Sequence, residues 1–134
     1  MQDLHKRIMN TNYHLDLTEE QYNDVITCIE AANRIACGQI EAINTILPIR
    51  TDWDVMDEIK KKSFPELDLN QSYGWSGGHP ASSWSRFQAS TYALYREMRY
   101  KREMYRKSKG YNVYQIPTLR KEGIDLPKIK ITET

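Results

Sequence analysis

Between Thr18 and Leu47 the apolar side chains Tyr22, Val25, Ile26, Ile29, Ala36, Ile40, Ile43 and Leu47 recur at three- and four-residue intervals. A helix turns that spacing into one face, so the pattern predicts a helix over 18–47. Thr18 stands before it as N-cap with Gln21 three residues on, a capping box, while Glu19 and Glu20 suit the positive end of the helix dipole and Pro48 stops the run. Trp53, Met56 and Ile59 repeat every three residues and predict a short second helix from Asp52 to about Lys62, closed by Ser63-Phe64-Pro65. From Ala81 to about Lys109 the chain again reads as helix. Trp84, Phe87, Leu94, Met98 and Tyr105 fall within roughly one quadrant of its wheel, marking that quadrant as core, and Gly110 follows as the C-terminal cap.

Elsewhere the period shortens to two. "NYHLDL" before the first helix sets Tyr13, Leu15 and Leu17 on one side, and "YNVYQI" and "PKIKITE" after the last helix alternate or enrich β-branched residues as strands do. The predicted fold is therefore a single α+β domain over 1–134, predominantly helical, with two long helices, one short helix and a small two- or three-stranded sheet.

Composition narrows the class without naming a role. The 134 residues are 40% hydrophobic with a mean hydropathy of −0.72, which describes an ordinary core under a polar surface. A net charge of +1 and a pI near 7.7 argue against a partner held by the overall field, duplex nucleic acid or an anionic membrane, so any electrostatic site is local. No apolar run reaches the roughly 18 residues of a spanning helix, and "MQDLHKRIMN" lacks the apolar core of a signal peptide; the expected location is the cytoplasm. Cys28 and Cys37 leave a single helix on opposite faces, and two lone thiols without CxxC spacing read as small buried residues.

Catalytic chemistry finds no motif. His5, His14 and His79 lie in three separate segments without ligand-like spacing, and neither GxSxG nor GxxxxGK[ST] occurs, so the reading is of a non-enzymatic protein without metal or cofactor. "SGGHP" reads as a tight turn. Three features remain. The stretch "LNQSYGWSGGHPASSW" places Trp75 and Trp84 in or beside a glycine-rich loop, where large rings pack on the domain or meet a ligand. Residues 96–109 carry Arg96, Arg99, Lys101, Arg102, Arg106, Lys107 and Lys109 against Glu97 and Glu103, with Gln88, Tyr92, Tyr95, Arg99, Arg102 and Arg106 sharing a sector beside the apolar face. Arginine with tyrosine at a core edge is the composition of an anion or base-stacking pocket; a solvated basic face explains it equally well. Finally, Gly38 sits inside the predicted first helix, where it costs about 1 kcal/mol relative to alanine, and Arg34 is spaced to pair with Glu30.

"DLTEEQYNDVITCIEAANRIACGQIEAI", "LNQSYGW", "YALYREMRY" and "LPKIKI" together resemble, in order, a loosely defined group of small phage and prophage proteins. In that group an "LT" lead-in opens a helix containing "GQ", a "SYG" loop follows, and a helix with a tyrosine and an Arg-His pair comes next. The resemblance lands on Gly38 and Gln39, on Ser72, Tyr73 and Gly74, and on Tyr92 and Arg99; Tyr100 stands where the group has histidine. It implies phage origin. By analogy with phage counter-defence factors it also implies a homo-oligomer that sequesters a nucleotide immune signal, a cyclic nucleotide or an ADP-ribose derivative, without cleaving it.

The expected site is one pocket with Gly38 and Gln39 as its floor, Ser72, Tyr73, Gly74 and Trp75 as one wall, and Tyr92, Arg96 and Arg99 as the other. Its rivals are an ion pair from Arg99 to Glu30 or Glu58 that merely joins helices, and an interaction protein whose Trp75, Trp84 and basic helix dock on a host defence effector.

Overall fold

A computed structural model describes residues 8–48, 50–74, 80–113, 115–119 and 123–133. Its regular elements are helix α1 (Glu19–Ala36), a 3-10 helix (Ile40–Thr45), helix α2 (Trp53–Ser63) and helix α3 (Ser82–Ser108). The short helix and the last long one stand where the periodicity puts them, and the first long helix starts where expected. Thr18 closes the expected capping box: its Oγ1 accepts from Gln21 N at 3.1 Å while Gln21 Oε1 accepts from Thr18 N at 3.0 Å. Asp52 caps α2 by accepting from Asp54 N. Gly110, at φ +93, ends α3 in a Schellman arrangement, with Tyr111 N donating to Arg106 O and Gly110 N to Lys107 O.

The sheet is absent. Among the described residues there is no strand, so the chain is helical where α+β was expected. "NYHLDL" forms no regular element: Tyr13 and Leu15 are 84% and 80% exposed, and among the described residues no ladder bonds reach the segment. A period of two shows that a stretch has two faces; whether it becomes a strand depends on a partner elsewhere in the chain.

The first helix also breaks early. Gly38 takes φ +96, Gln39 N donates to Arg34 O at 2.8 Å and Gly38 N to Ile35 O at 3.0 Å, so α1 stops in a Schellman motif instead of running on to Leu47. Gly38 is thus the terminator of a helix, not a weak point inside one. The 3-10 helix that follows repeats every three residues, which keeps Ile40 and Ile43 in register with the apolar spacing of α1 and disguises the break in the sequence.

Helices α1 and α3 run antiparallel, and their joint is largely polar. Asn33 Nδ2 donates to Gln88 O at 2.8 Å and to Thr91 Oγ1 at 3.0 Å, Gln88 Nε2 donates to Ala36 O at 3.0 Å, and the Tyr22 hydroxyl donates to Met98 O at 2.7 Å. Gln88 has no exposed surface, whereas Trp84 and Phe87, expected in the core, are 40% and 37% exposed and stack on each other at 5.0 Å. The buried positions of α3 are mostly small or polar: Gln88, Ala89, Thr91, Ala93, Glu97 and Met98. Small residues let helices approach closely, and hydrogen bonds satisfy the polar groups enclosed between them. A second apolar cluster, Ile40, Met56 and Phe64 with Ile35, Ile43, Leu67 and Tyr73 against it, ties α2 and the 3-10 helix to the end of α1. Both cysteines are free; Cys37 is buried, as expected, but Cys28 is exposed on α1.

Candidate functional site

Eight of the nine residues singled out from the sequence fall into two places. Gly38, Gln39, Ser72, Tyr73 and Gly74 gather at the end of α1. Tyr92, Arg96 and Arg99 lie along α3 beside the middle of α1. Trp75 lies outside the described residues.

At the first place, the turn after Ala36 and the stretch 64–74 lie against each other. Tyr73 N donates to Cys37 O at 2.8 Å, and Gly74 O faces the Cys37 thiol at 3.8 Å; burial pushes that thiol above its ordinary pKa, so it stays protonated. The Tyr73 ring packs edge-on to Phe64 at 6.2 Å, and its hydroxyl donates to Glu66, a bond that raises the phenol to about 12. Tyr73 is therefore half-buried on the second apolar cluster rather than held out on a loop. Gly38 has a reason beyond its φ: a Cβ there would come within 3.0 Å of Leu67 Cδ1. Gly74 has neither a positive φ nor a neighbour within 4 Å of a built Cβ. Beside this junction an open depression of about 220 Å³ is lined by Gln39, Glu41, Lys60, Leu69, Asn70, Gln71 and Ser72. Lys60 is the residue that sequence reading passed over. It is 6% exposed, and its Nζ donates to Leu69 O at 2.9 Å and to Gln71 O. The signal was the four-residue step from Met56, which puts Lys60 on the apolar face of α2 while Lys61 and Lys62 face water.

At the second place, two guanidinium groups meet one carboxylate. Glu30 accepts from Arg34 at 3.1 Å, the expected i,i+4 pair, and approaches Arg99 at 3.8 Å across the helix joint. The structural reading of Arg99 is in this respect present: the ion pair to Glu30 exists, though it is long and half-exposed. Further along, Arg102 donates to Asn23 at 2.7 Å and to Glu103, and Arg106 binds Glu19 at 2.8 Å and Glu103 at 3.2 Å, so those two arginines are occupied. Arg96 differs. Its Nε is buried and has no acceptor among the described residues. The rings of Tyr92 and Tyr95 meet edge to face at 5.5 Å next to it, and Tyr95 sits within electrostatic reach of Glu30, Arg34 and Arg96; burial first, and then Glu30, raise its phenol above the ordinary value. A small cavity of about 80 Å³, lined by Thr27, Glu30, Ala31, Arg34 and Thr45, opens on the α1 side of this cluster.

Among the described residues, neither of these two cavities is lined by residues of both places. Glu30, where Arg99 docks, lies six residues before Ala36, about 9 Å of helix rise. Among the described residues no group of three or more His, Cys, Asp or Glu is arranged to hold a metal ion, and no helix is long and apolar enough to cross a membrane. Comparison with protein families, with curated proteins and with solved structures finds no match to this chain.

Proposed function

We propose that this chain is a non-enzymatic binding protein of phage type that sequesters a phosphate-bearing nucleotide signal, a cyclic nucleotide or an ADP-ribose derivative, in the host cytoplasm. The observation that carries the reading is Arg96, whose buried Nε has no acceptor although Arg34 and Arg99 beside it share a single carboxylate. A buried donor left without a partner is destabilising by about 1–3 kcal/mol, so a fold that keeps one gains where a ligand supplies the acceptor. Guanidinium groups grip phosphate oxygens in pairs, and Tyr92 and Tyr95 offer rings for a base. Binding without turnover asks for no acid/base pair.

A homo-oligomer is part of the proposal. Its support is the apolar surface of the segment before α1, where Tyr13 and Leu15 stand in solvent. One observation favours a second reading, inhibition of a host defence effector by direct contact: Trp84 and Phe87 form a stacked pair on the surface, and Trp53 is 57% exposed.

Calorimetric titration with a panel of cyclic dinucleotides and cyclic ADP-ribose isomers separates the two. Sequestration requires saturable binding by the wild type that Arg96→Ala abolishes and Trp84→Ala leaves intact. A wild type that binds nothing on the panel defeats the sequestration reading for these ligands.

A further inference from the structure

We propose that Lys60, with Gln39, Asn70 and Ser72 at its rim, forms a separate binding site for a small oxyanion, a phosphate or carboxylate group. The site does not rest on the arginine cluster and lies at the other end of the fold's polar joint.

Lysine carries three donors and no acceptor, and burying its charge is unfavourable unless the charge is paired. Lys60 is more than nine-tenths buried, its stem running beside Gly38, where its Cε would lie 3.9 Å from a built Cβ. Two of its hydrogens go to the carbonyls of Leu69 and Gln71, and among the described residues it forms no ion pair. Carbonyl dipoles solvate the charge without neutralising it. The third hydrogen is unassigned, and the depression of about 220 Å³ is lined by the same residue. That volume holds several waters at about 30 Å³ each, or one small anion with its remaining hydration.

The rim supplies neutral donors of the kind an oxyanion uses. Gln39, Asn70 and Ser72 line the depression, and their side chains make no hydrogen bond among the described residues, whereas the Gln71 amide oxygen is engaged by Asp68 N. Gln39 is held in place by its own backbone, since its N–H closes the end of α1 on Arg34 O. The buried charge at the depression is therefore positive. Glu41 also lines it, but from an exposed position in the first turn of the 3-10 helix, where water solvates the carboxylate. Its presence sets a sign that can be measured: an anion is repelled by Glu41 and a cation attracted.

The test is a titration of the isotopically labelled full chain, followed by amide NMR, with sodium phosphate in one arm and sodium acetate in the other at constant ionic strength. Saturable shifts at the amides of Gln39, Asn70, Gln71 and Ser72 are expected in at least one arm, and the arm that saturates at lower concentration identifies phosphate or carboxylate. Glu41→Gln tightens the binding, and Lys60→Gln weakens it by roughly tenfold or more, as the loss of one charge-assisted hydrogen bond requires. Should Lys60→Gln unfold, the rim variants Gln39→Ala and Ser72→Ala, which leave the ammonium and its carbonyls intact, must each weaken binding severalfold. No saturable shift in either arm, a loss of affinity in Glu41→Gln, or unchanged affinity in a folded Lys60→Gln or in both rim variants overturns the proposal. Shifts confined to Arg96 and Arg99 would report the arginine cluster alone and likewise overturn it, so the two sites fail independently.

Discussion

Asn33 and Gln88 hold the two long helices in register by reciprocal bonds: the Asn33 amide donates to the Gln88 carbonyl at 2.8 Å, and the Gln88 amide donates to Ala36 O, three residues beyond Asn33, at 3.0 Å. Both side chains are buried, Gln88 completely. Asn33→Leu leaves Gln88 O and the Thr91 hydroxyl with fewer partners and lowers stability by about 2–4 kcal/mol, read as a shift of the denaturant midpoint. A midpoint within experimental error of wild type would mean that apolar contacts alone fix the joint.

Gly38 and Gly74 make a matched pair of tests. Alanine at 38 is forced into the left-handed region at φ +96 with its Cβ 3.0 Å from Leu67, whereas alanine at 74 has nothing within 4 Å and no positive φ. Gly38→Ala is destabilising by about 1–2 kcal/mol or more, and Gly74→Ala changes the melting temperature little. Equal effects would contradict the turn geometry.

Arginines 96 and 99 separate stability from binding. The Arg99 pair to Glu30 is long and half-exposed, so Arg99→Ala removes only about 0.2–1 kcal/mol. Arg96→Met keeps the stem and removes the buried Nε that lacks an acceptor, so stability stays level or rises while nucleotide binding is lost. Thermal melts of both variants beside calorimetry check this; a large drop in melting temperature for Arg96→Met would make the residue structural.

Alkaline pH loosens the same joint. Burial pushes the Tyr22 phenol up to about 12 from an ordinary 10.0, so the folded state holds its proton more tightly than the unfolded chain. The contribution is whole below pH 10 and is lost as pH rises from there toward 12, as the unfolded phenol ionises and the folded one does not. Tyr22→Phe also removes the bond to Met98 O, so it is less stable at neutral pH and declines less steeply between pH 10 and 12. Parallel declines would place the alkaline sensitivity in other groups. At the acid end, Arg106 holds the Glu19 carboxyl, and Lys109 that of Glu133, below the ordinary 4.5. Their contribution is present above that value and fades as pH falls through the lowered ones; both groups are exposed, so the effect is small.

The helices were legible because their signals are local. Thr18 with Gln21, Asp52 before Trp53, and Gly110 after Lys109 each act within one turn, and the structure uses all three. The break at Gly38 is hidden in the sequence because a 3-10 helix preserves the three-residue step from Ile40 to Ile43 that an α-helix also shows. The sheet failed because Tyr13, Leu15 and Leu17 report an extended chain but not a partner, and pairing is settled at a distance. The core face of α3 was displaced for a related reason. Hydrophobicity ranks Trp84 and Phe87 above Gln88, yet Gln88 is the buried one, since its cost of burial is met by a carbonyl 52 positions away in sequence. In the candidate site, Arg99 to Glu30 is readable as a structural alternative, and Tyr92 and Tyr95, placed in one sector by their spacing, meet edge to face; the burial of Lys60 against the stretch after α2 is not local in sequence.

Because α1 and α3 lie antiparallel, their cross-links form an ordered ladder: Arg106 to Glu19, Arg102 to Asn23, Tyr22 to Met98, Arg99 to Glu30, and last the bonds of Asn33, Gln88 and Ala36. Tension applied between residues 18 and 109, which lie at the same end of the pair, loads these rungs one at a time instead of together. Under such a pull the molecule opens like a zipper, at low force, from the exposed ion pairs toward the buried amides, and the turn at Gly38 is reached only after every rung has parted.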